Sequence, residues 1–169
     1  LVYRMARKDI LFIVVGDGPQ RATIEALVAE LKIEPYLRFT GYLSGAPLFE
    51  QLASADLGVC PDPKNAFNDK LSMNKVMEYM SFSLPVVQFN LTENRLLAGD
   101  AAVYAGDDNN PQNLAERIAE LLDDPERRKV MGALGRQRVE TELAWCYQVE
   151  TYLQVYEELL GPAESNPKQ

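Results

Sequence analysis

Short apolar runs alternate with amphipathic helical patterns along most of this sequence, and this alternation limits the possible folds more than any other feature. The apolar runs predict five β-strands, at residues 11–15, 37–42, 57–60, 85–89 and 102–104. Between the strands, apolar residues at helical spacing predict helices at residues 19–31, 47–53 and 72–82. Strands that alternate with helices through short connections form a parallel sheet with helices on both faces. The predicted fold class is therefore α/β.

Glycine, proline and capping residues indicate where several elements begin. The run at residues 11–15 is entirely apolar, which predicts a strand buried on both faces. Pro19 follows Gly18 and is predicted to begin the next helix, because proline suits the first helical position. Asn110-Pro111 and Asp124-Pro125 predict the starts of two later helices.

The chain contains no histidine, and this excludes several kinds of chemistry. Carboxylates, lysines, arginines, hydroxyls and backbone amides must replace a histidine base, a histidine metal ligand or a Ser/His or Cys/His pair. The net charge of −8 argues against nucleic acid as a partner, since nucleic-acid phosphates are bound by basic surfaces. Cys60 and Cys146 match no metal-binding spacing; the sequence allows one disulfide between them, but we expect both to be reduced, as in a cytosolic protein. No apolar run reaches the roughly 18 residues of a membrane span.

Ligands of parallel α/β sheets bind at the carboxyl ends of the strands. Gly16-Asp17-Gly18 lies at such an end, where glycines let a ligand approach the backbone and a helix N-terminus offers free amides. An ordinary tight turn explains the same tripeptide. The dinucleotide fingerprint does not fit, because Arg21 stands where its third glycine is required. Tyr42 and Leu43 follow the next strand, and they either flank a flat base or pack against the protein.

A polar loop leads into the helix predicted at residues 72–82. Ser72 is a candidate N-cap, and Lys70 and Lys75 lie at the positive end of the helix. A phosphate or diphosphate suits this place, held by backbone amides with either lysine as counter-charge. A solvated, capped helix start explains the pattern equally well. Glu78 can accept two hydrogen bonds from a vicinal diol such as ribose, or form a surface ion pair with Lys75.

The order of these segments resembles one enzyme family. The matching stretches are residues 14–19, 39–42, 55–61 and 74–87. They are similar to the C-terminal half of retaining glycosyltransferases of the GT-B fold, family 4, also called glycosyl transferases group 1. The resemblance covers about residues 3–160, including the aromatic final helix. Its most specific part is the stretch of residues 75–87, which begins Lys75-Val76-Met77-Glu78.

The resemblance implies a Rossmann-like domain that binds a nucleotide-sugar donor. In the family, the glutamate at the position of Glu78 contacts the donor ribose. The loop before it contacts the diphosphate and the sugar through backbone amides, and the corresponding residues here are Lys70, Ser72, Met73 and Asn74. By the same resemblance, Tyr42 and Leu43 flank the base, and Gly16, Asp17 and Gly18 border the pocket. The donor is a substrate, and neither a cofactor nor a metal is implied.

Two positions depart from the family pattern. Most members carry a second glutamate eight residues before the ribose-binding one, and Lys70 stands there in this chain. A lysine cannot accept hydrogen bonds, but it can pair with the diphosphate or with an acidic sugar. Met73 stands where glycine is common. Lys70 and Lys75 are therefore the candidate catalytic side chains, as counter-charges for the leaving diphosphate.

The resemblance also implies that this chain is one half of a larger enzyme. Leu1, Val2 and Met5 share one helical face, which predicts that the sequence begins inside a helix. Residues 1–160 are expected to be the C-terminal donor-binding domain without its first strand, and residues 161–169 a flexible tail. The acceptor-binding N-terminal domain, the only part expected to contact a membrane, would precede this sequence. The half is expected to bind its nucleotide in a bacterial cytoplasm without catalysing transfer.

Two other functions remain open on the sequence alone. The first is half of a sugar-nucleotide 2-epimerase, which has a related two-domain architecture. The second is a non-catalytic α/β interaction module, such as a flavodoxin-like regulatory domain. Regulatory receivers of that kind usually place an acidic cluster at the end of the first strand, where this chain has only Asp17.

Overall fold

The five strands predicted from the apolar runs are present, and they are divided between two sheets. The computed structural model describes residues 1–161, so residues 162–169 of the predicted tail lie outside the described residues. The strands are β1 Phe12–Val15, β2 Leu37–Gly41, β3 Gly58–Cys60, β4 Val86–Gln88 and β5 Ala102–Tyr104. β1 pairs with β2, and β3, β4 and β5 pair in that order. All of these pairs are parallel, as predicted.

Eight α-helices occur within the described residues. They are α1 Val2–Met5, α2 Arg21–Leu31, α3 Ala46–Ser54, α4 Asn74–Ser81, α5 Thr92–Ala98, α6 Pro111–Leu122, α7 Pro125–Arg138 and α8 Trp145–Leu160. The chain thus begins in a helix, and the side chains of Asn110 and Asp124 cap α6 and α7 through bonds of 2.9 Å. Pro19 does not begin α2, because it lies in a turn before the N-cap residue Gln20. The sequence patterns do not predict α5, since seven residues hold too few turns to show an apolar period.

The sheet of β3, β4 and β5 carries the hydrophobic core on both of its faces. β4 is fully buried, and its neighbouring residues Val86 and Val87 belong to opposite faces. One face packs against α4 and α5, through Val76, Met80 and Leu97. The other face packs against α6 and α7, through Leu114, Ile118 and Met131. Helices therefore cover both sides of a parallel sheet, which confirms the predicted α/β class.

The sheet of β1 and β2 is less covered. Val14 and Val15 are 38% and 37% exposed, so the prediction of a strand buried on both faces is wrong for β1. Phe12 packs against the same core as Val87, whereas α2 has Val28 as its one buried residue. An apolar run shows that a strand can be buried, but its burial depends on the elements that cover it.

Two glycines let elements of the core approach closely. A Cβ on Gly58 of β3 would overlap the ring of Tyr79, which projects from α4. A Cβ on Gly132 of α7 would overlap the carbonyl oxygen of Ser83, in the turn after α4. Helix α7 therefore lies directly on the backbone that ends α4, and this contact helps to fix the position of α4 on the sheet.

We expect Gly132→Ala to lower the free energy of unfolding by roughly 1–3 kcal/mol, the usual cost of overpacking a core. Alanine favours a helix over glycine, but here the new methyl group meets backbone. Ser83 has a φ of 58°, so its turn has little freedom to move away. Urea unfolding at neutral pH measures the change. Gly135→Ala is the comparison in α7: its Cβ would lie 3.1 Å from the Cγ atom of Met80 and 3.2 Å from the Cβ atom of Ala101, a milder overlap than that at Gly132, so it should cost less. Equal losses in the two variants would contradict the expectation.

Candidate functional site

A long polar loop connects β3 to α4 at the carboxyl end of β3. It spans residues 61–73 and contains a short 3-10 turn, Asn68–Lys70. Within the loop, the Oδ1 atom of Asn65 accepts the backbone N–H groups of Phe67 at 3.0 Å and Asn68 at 2.8 Å. The loop therefore has an internal turn of its own before it reaches the helix.

Side chains from the ends of the neighbouring strands bind this loop. Asn109, after β5, accepts the Lys64 N–H at 2.5 Å and donates its own N–H to the Lys64 carbonyl at 2.9 Å. The Asp69 carboxylate accepts the backbone N–H of Thr92 at 2.8 Å and the Thr92 hydroxyl at 3.0 Å. The Lys64 ammonium lies 3.1 Å from Asp107. These contacts attach the loop to the chain segments that follow β4 and β5.

Asp62 connects the start of the loop to the first turn of α4. Its Oδ2 atom lies 2.5 Å from the Lys75 ammonium and accepts the Cys60 thiol at 3.1 Å. Both Asp62 and Lys75 are partly buried. The spacing along the sequence allows a surface ion pair between Lys75 and Glu78, but in the structure the carboxylate partner of Lys75 is Asp62.

The charges of this cluster shift the pKa values of its members. Desolvation alone would raise the pKa of Asp62, but the hydrogen bonds from Lys75 and Cys60 outweigh it and hold the pKa below its ordinary value of 3.8. Burial, and then the hydrogen bond to Asp62, raise the pKa of the Cys60 thiol to about 12. The thiol is therefore protonated at neutral pH and cannot act as a nucleophile.

The other predicted residues of this region lie on its solvent side. Lys70, Ser72, Asn74 and Glu78 are all exposed. Together with Met73 and Lys75 they form what we call the α4 group. Within residues 1–161, no carboxylate lies within 4.0 Å of the Lys70 ammonium, whereas Lys64 has two, Asp69 and Asp107, and Lys75 has one. Lys70 therefore presents a positive charge that no described carboxylate neutralises by contact.

Helix α4 begins two residues later than predicted. Its N-cap is Met73, and no side chain makes a capping hydrogen bond there, so the prediction that Ser72 is the N-cap is wrong. The physical reason is that Asn94 of α5 accepts the Met73 N–H at 3.0 Å, which holds this peptide outside the helix. Asn74 and Lys75 follow as the first helical residues, and the helix itself gives their N–H groups no backbone acceptor.

A second group of predicted residues lies where β1 and β2 end. Gly16 donates its N–H to the Gly41 carbonyl at 2.8 Å, with a φ of 121° that favours glycine. Asp17 accepts the N–H of Gly18 at 2.8 Å. The β1–β2 group consists of Gly16, Asp17, Gly18, Tyr42 and Leu43. Tyr42 is 82% exposed, which rules out the alternative that its ring packs into the core.

The structure thus brings the predicted site residues together in two groups. Both lie at carboxyl ends of parallel strands, β1 and β2 for one and β3 for the other. Among the described residues, no hydrogen bond or ion pair joins the β1–β2 group to the α4 group. Ligand contacts at both groups would therefore need a molecule long enough to reach from one to the other.

Three residues that shape the α4 group are not indicated by the sequence pattern: Asp62, Asn94 and Asn109. A weak signal existed for α5, because Thr92-Glu93 places an acidic residue in a first helical turn. Nothing in the spacing indicates that Asp62 pairs with Lys75, since a loop separates them. The same holds for Asn109, which reaches Lys64 from the end of a different strand.

Residues 1–161 contain no group of three or more His, Cys, Asp or Glu side chains arranged to hold a metal ion. None of the helices in this part of the chain is both long and apolar enough to cross a membrane.

The sequence and fold were compared with those of known proteins. The profile of the glycosyl transferases group 1 family matches residues 2–124, which contain all five strands and both groups of site residues. The chain belongs to this family. Membership favours neither a 2-epimerase nor a non-catalytic interaction module.

The relatives of this glycosyl transferases group 1 chain are longer than the chain itself. It is 30% identical over 144 residues to a GDP-mannose-dependent monoacylated alpha-(1-6)-phosphatidylinositol monomannoside mannosyltransferase of Corynebacterium glutamicum, covering 83% of this chain and 37% of that protein. Among solved GT-B structures, a glycosyltransferase from Rickettsia africae matches with a TM-score of 0.78 and 14% identity, over 96% of this chain and 43% of that one. The pneumococcal O-GlcNAc transferase GtfA, in complex with UDP and GlcNAc, matches with a TM-score of 0.74 and 16% identity. The match covers 94% of this chain and 31% of that one. This chain therefore spans less than half of each of these proteins.

Ionised Asp62 is expected to stabilise the fold in a pH-dependent way. Because its folded pKa lies below the ordinary value, its contribution is present above about pH 4 and is lost as the pH falls through the folded pKa. Asp62→Asn should therefore be less stable than the natural chain near pH 7, and the difference should narrow towards pH 3. Urea unfolding at both pH values measures this.

The matched control is Glu30→Gln, which changes an exposed carboxylate of α2. It should keep the natural pH dependence of stability. If the Asp62→Asn and natural chains differ by the same free energy at both pH values, the contact with Lys75 does not stabilise ionised Asp62.

Proposed function

We propose that this chain is the donor-binding half of a glycosyltransferase. The enzyme would transfer a sugar from a nucleoside diphosphate sugar to an acceptor, with retention of configuration at the anomeric carbon. The observation that carries the proposal is the arrangement at α4: an exposed carboxylate, Glu78, stands one helical turn after a helix N-terminus whose loop is bound on several sides. Membership of the family supports this use of the arrangement.

The amino end of α4 is proposed to bind the diphosphate of the donor. The N–H groups of Asn74 and Lys75 and the helix dipole favour an anion there. Lys70 adds a full positive charge beside them, while the charge of Lys75 is shared with Asp62. As the bond between sugar and diphosphate breaks, these donors would stabilise the negative charge that develops on the leaving group. Ser72 and Met73 lie in the backbone that approaches the transferred sugar.

Glu78 is proposed to bind the ribose. An ionised carboxylate has two oxygens and can accept both hydroxyls of a vicinal diol at once. Glu78 and Asn74 are four residues apart on α4, so they share one face of the helix, and the ribose would lie beside the diphosphate. This order matches the covalent order of a nucleotide.

The β1–β2 group is proposed to bind the base. Tyr42 and Leu43 offer apolar surfaces that can flank a flat ring, and the turn of Gly16, Asp17 and Gly18 beside them allows close approach of a ligand to the backbone. The relatives support a nucleoside diphosphate in general. The name of one includes GDP-mannose, and another was solved with UDP.

We also propose that residues 1–160 are a C-terminal domain that requires further chain to act. Within residues 1–161, β1 has β2 as its one strand neighbour and β3 has β4, so each has an edge that another strand can pair with. A first strand between them, together with an acceptor-binding domain, would complete the enzyme in a bacterial cytoplasm. Contact with a membrane is proposed only through that other domain, and the donor is bound without a metal or a further cofactor.

Glu78→Ala is expected to weaken the binding of GDP or UDP by about 1–3 kcal/mol, because it removes a charged acceptor of the ribose hydroxyls. Isothermal titration calorimetry with both nucleotides measures the loss. Glu30→Ala, which removes an exposed carboxylate of α2, is the matched control and should leave both affinities unchanged. Equal affinity of the natural and Glu78→Ala chains for both nucleotides would remove Glu78 from the ribose site.

The 169-residue chain is expected to bind nucleotide without transferring sugar, because the acceptor site belongs to the proposed N-terminal domain. Incubation with GDP-mannose or UDP-glucose and a panel of alcohol acceptors, followed by mass spectrometry, checks this. Transfer by the chain alone would contradict the division into two halves. For a longer enzyme that contains this chain, an α-linked first product from an α-linked donor, seen by NMR, would support retention.

A further inference from the structure

We propose that Asn94 is a positioning residue of the donor site, acting through the backbone at the start of α4. This inference rests on the proposed function of the α4 group. Asn94 is 0% exposed and lies in α5, away from the face that a ligand would touch. Its Oδ1 atom accepts the Met73 N–H at 3.0 Å, and its Nδ2 atom lies 3.7 Å from the Cys60 sulfur, to which it donates.

A buried amide side chain must have both its donor and its acceptor satisfied, or it destabilises the fold. At Asn94 the acceptor is satisfied by the backbone of the site, so the residue and the start of α4 hold each other. Met73 directly precedes Asn74 and Lys75, whose N–H groups are proposed to meet the diphosphate. Fixing the Met73 peptide therefore limits the directions in which the next two N–H groups can point.

Further contacts of Asn94 fix the first turn of α4 at a second point. Cys60 accepts from Asn94 and donates to Asp62, and Asp62 binds the Lys75 ammonium. The backbone of Met73 and the side chain of Lys75 are thus both tied to the end of β3. The first turn of α4 is therefore held in place before a ligand binds, which reduces the free-energy cost of ordering it on binding.

The chemistry of Asn94 also suits a site for an anion. A carboxylate at this position would still accept the Met73 N–H, but it would add a buried negative charge near the proposed diphosphate. An aliphatic residue would leave the Met73 N–H without its partner. A neutral side chain with both an acceptor and a donor meets both requirements.

The test compares the affinities of the natural chain and Asn94→Ala for GDP and for guanosine, by calorimetry. If Asn94 orients the diphosphate-binding amides, GDP affinity falls about 10-fold, as expected for loss of one buried hydrogen-bond partner, while guanosine affinity changes less than about 2-fold. The matched control is Asn113→Ala, since Asn113 is also the third residue of its helix but binds Asp108 of its own loop. It should change neither affinity.

The outcomes separate this inference from the proposed function. If the natural chain binds neither GDP nor UDP, the proposed function and this inference both fail. If it binds UDP and not GDP, the same comparison is made with UDP and uridine. If Asn94→Ala weakens the binding of nucleotide and nucleoside equally, or weakens neither, Asn94 has no specific role at the diphosphate and only this inference fails.

A measurement on the natural chain covers the case in which Asn94→Ala does not fold. Amide hydrogen exchange followed by NMR should find the Met73 N–H protected without nucleotide, and the Asn74 and Lys75 N–H groups protected only after GDP is added. Exchange of Met73 as fast as that of Asn74 in the free chain would overturn the inference.

Discussion

A run of buried and partly buried hydrogen bonds at the carboxyl end of β3 is the constraint on which the candidate site depends. It passes from the Met73 backbone to Asn94, then to Cys60, Asp62 and Lys75. These bonds close the two ends of a loop that would otherwise have many conformations. Because Asn94 and Cys60 are fully buried, an open loop would leave their polar atoms without partners, and the closed form is favoured accordingly.

The sheet of β3, β4 and β5, with the helices packed on it, supports this run of bonds. β4 is buried on both faces, Gly58 lets Tyr79 of α4 lie against β3, and Gly132 lets α7 lie against the turn after α4. The β1–β2 group depends on a different sheet with more exposed strands. A nucleotide that contacts both groups would therefore connect two sets of site residues that no described hydrogen bond or ion pair joins.

Much of the fold could be predicted from local pattern, for identifiable physical reasons. Strands such as β5 follow from short apolar runs, and α6 and α7 begin at Asn110 and Asp124 because a capping residue before proline leaves the backbone few alternatives. Helix α5 is not predicted, because its seven residues are too few to show an apolar period. The sequence predicts Ser72 as the N-cap of α4, whereas the N-cap is Met73. The difference arises because Asn94, a residue of another helix, accepts the Met73 N–H. The exposure of Val14 and Val15 depends on neighbours, which an apolar run does not report.

By itself, the sequence determined the alternation of strands and helices, the membership of a glycosyltransferase family and the residue types available to the site, since these are properties of local pattern and residue identity. Only the tertiary structure decided that Lys75 binds Asp62 rather than Glu78, that Lys70 has no described carboxylate in contact, and that Asn94 holds the Met73 peptide. The physical reason is that each of these outcomes is a choice between competing partners at hydrogen-bond distance. Such distances arise only when β3, α4 and α5 pack together, and residue spacing along the chain does not contain them.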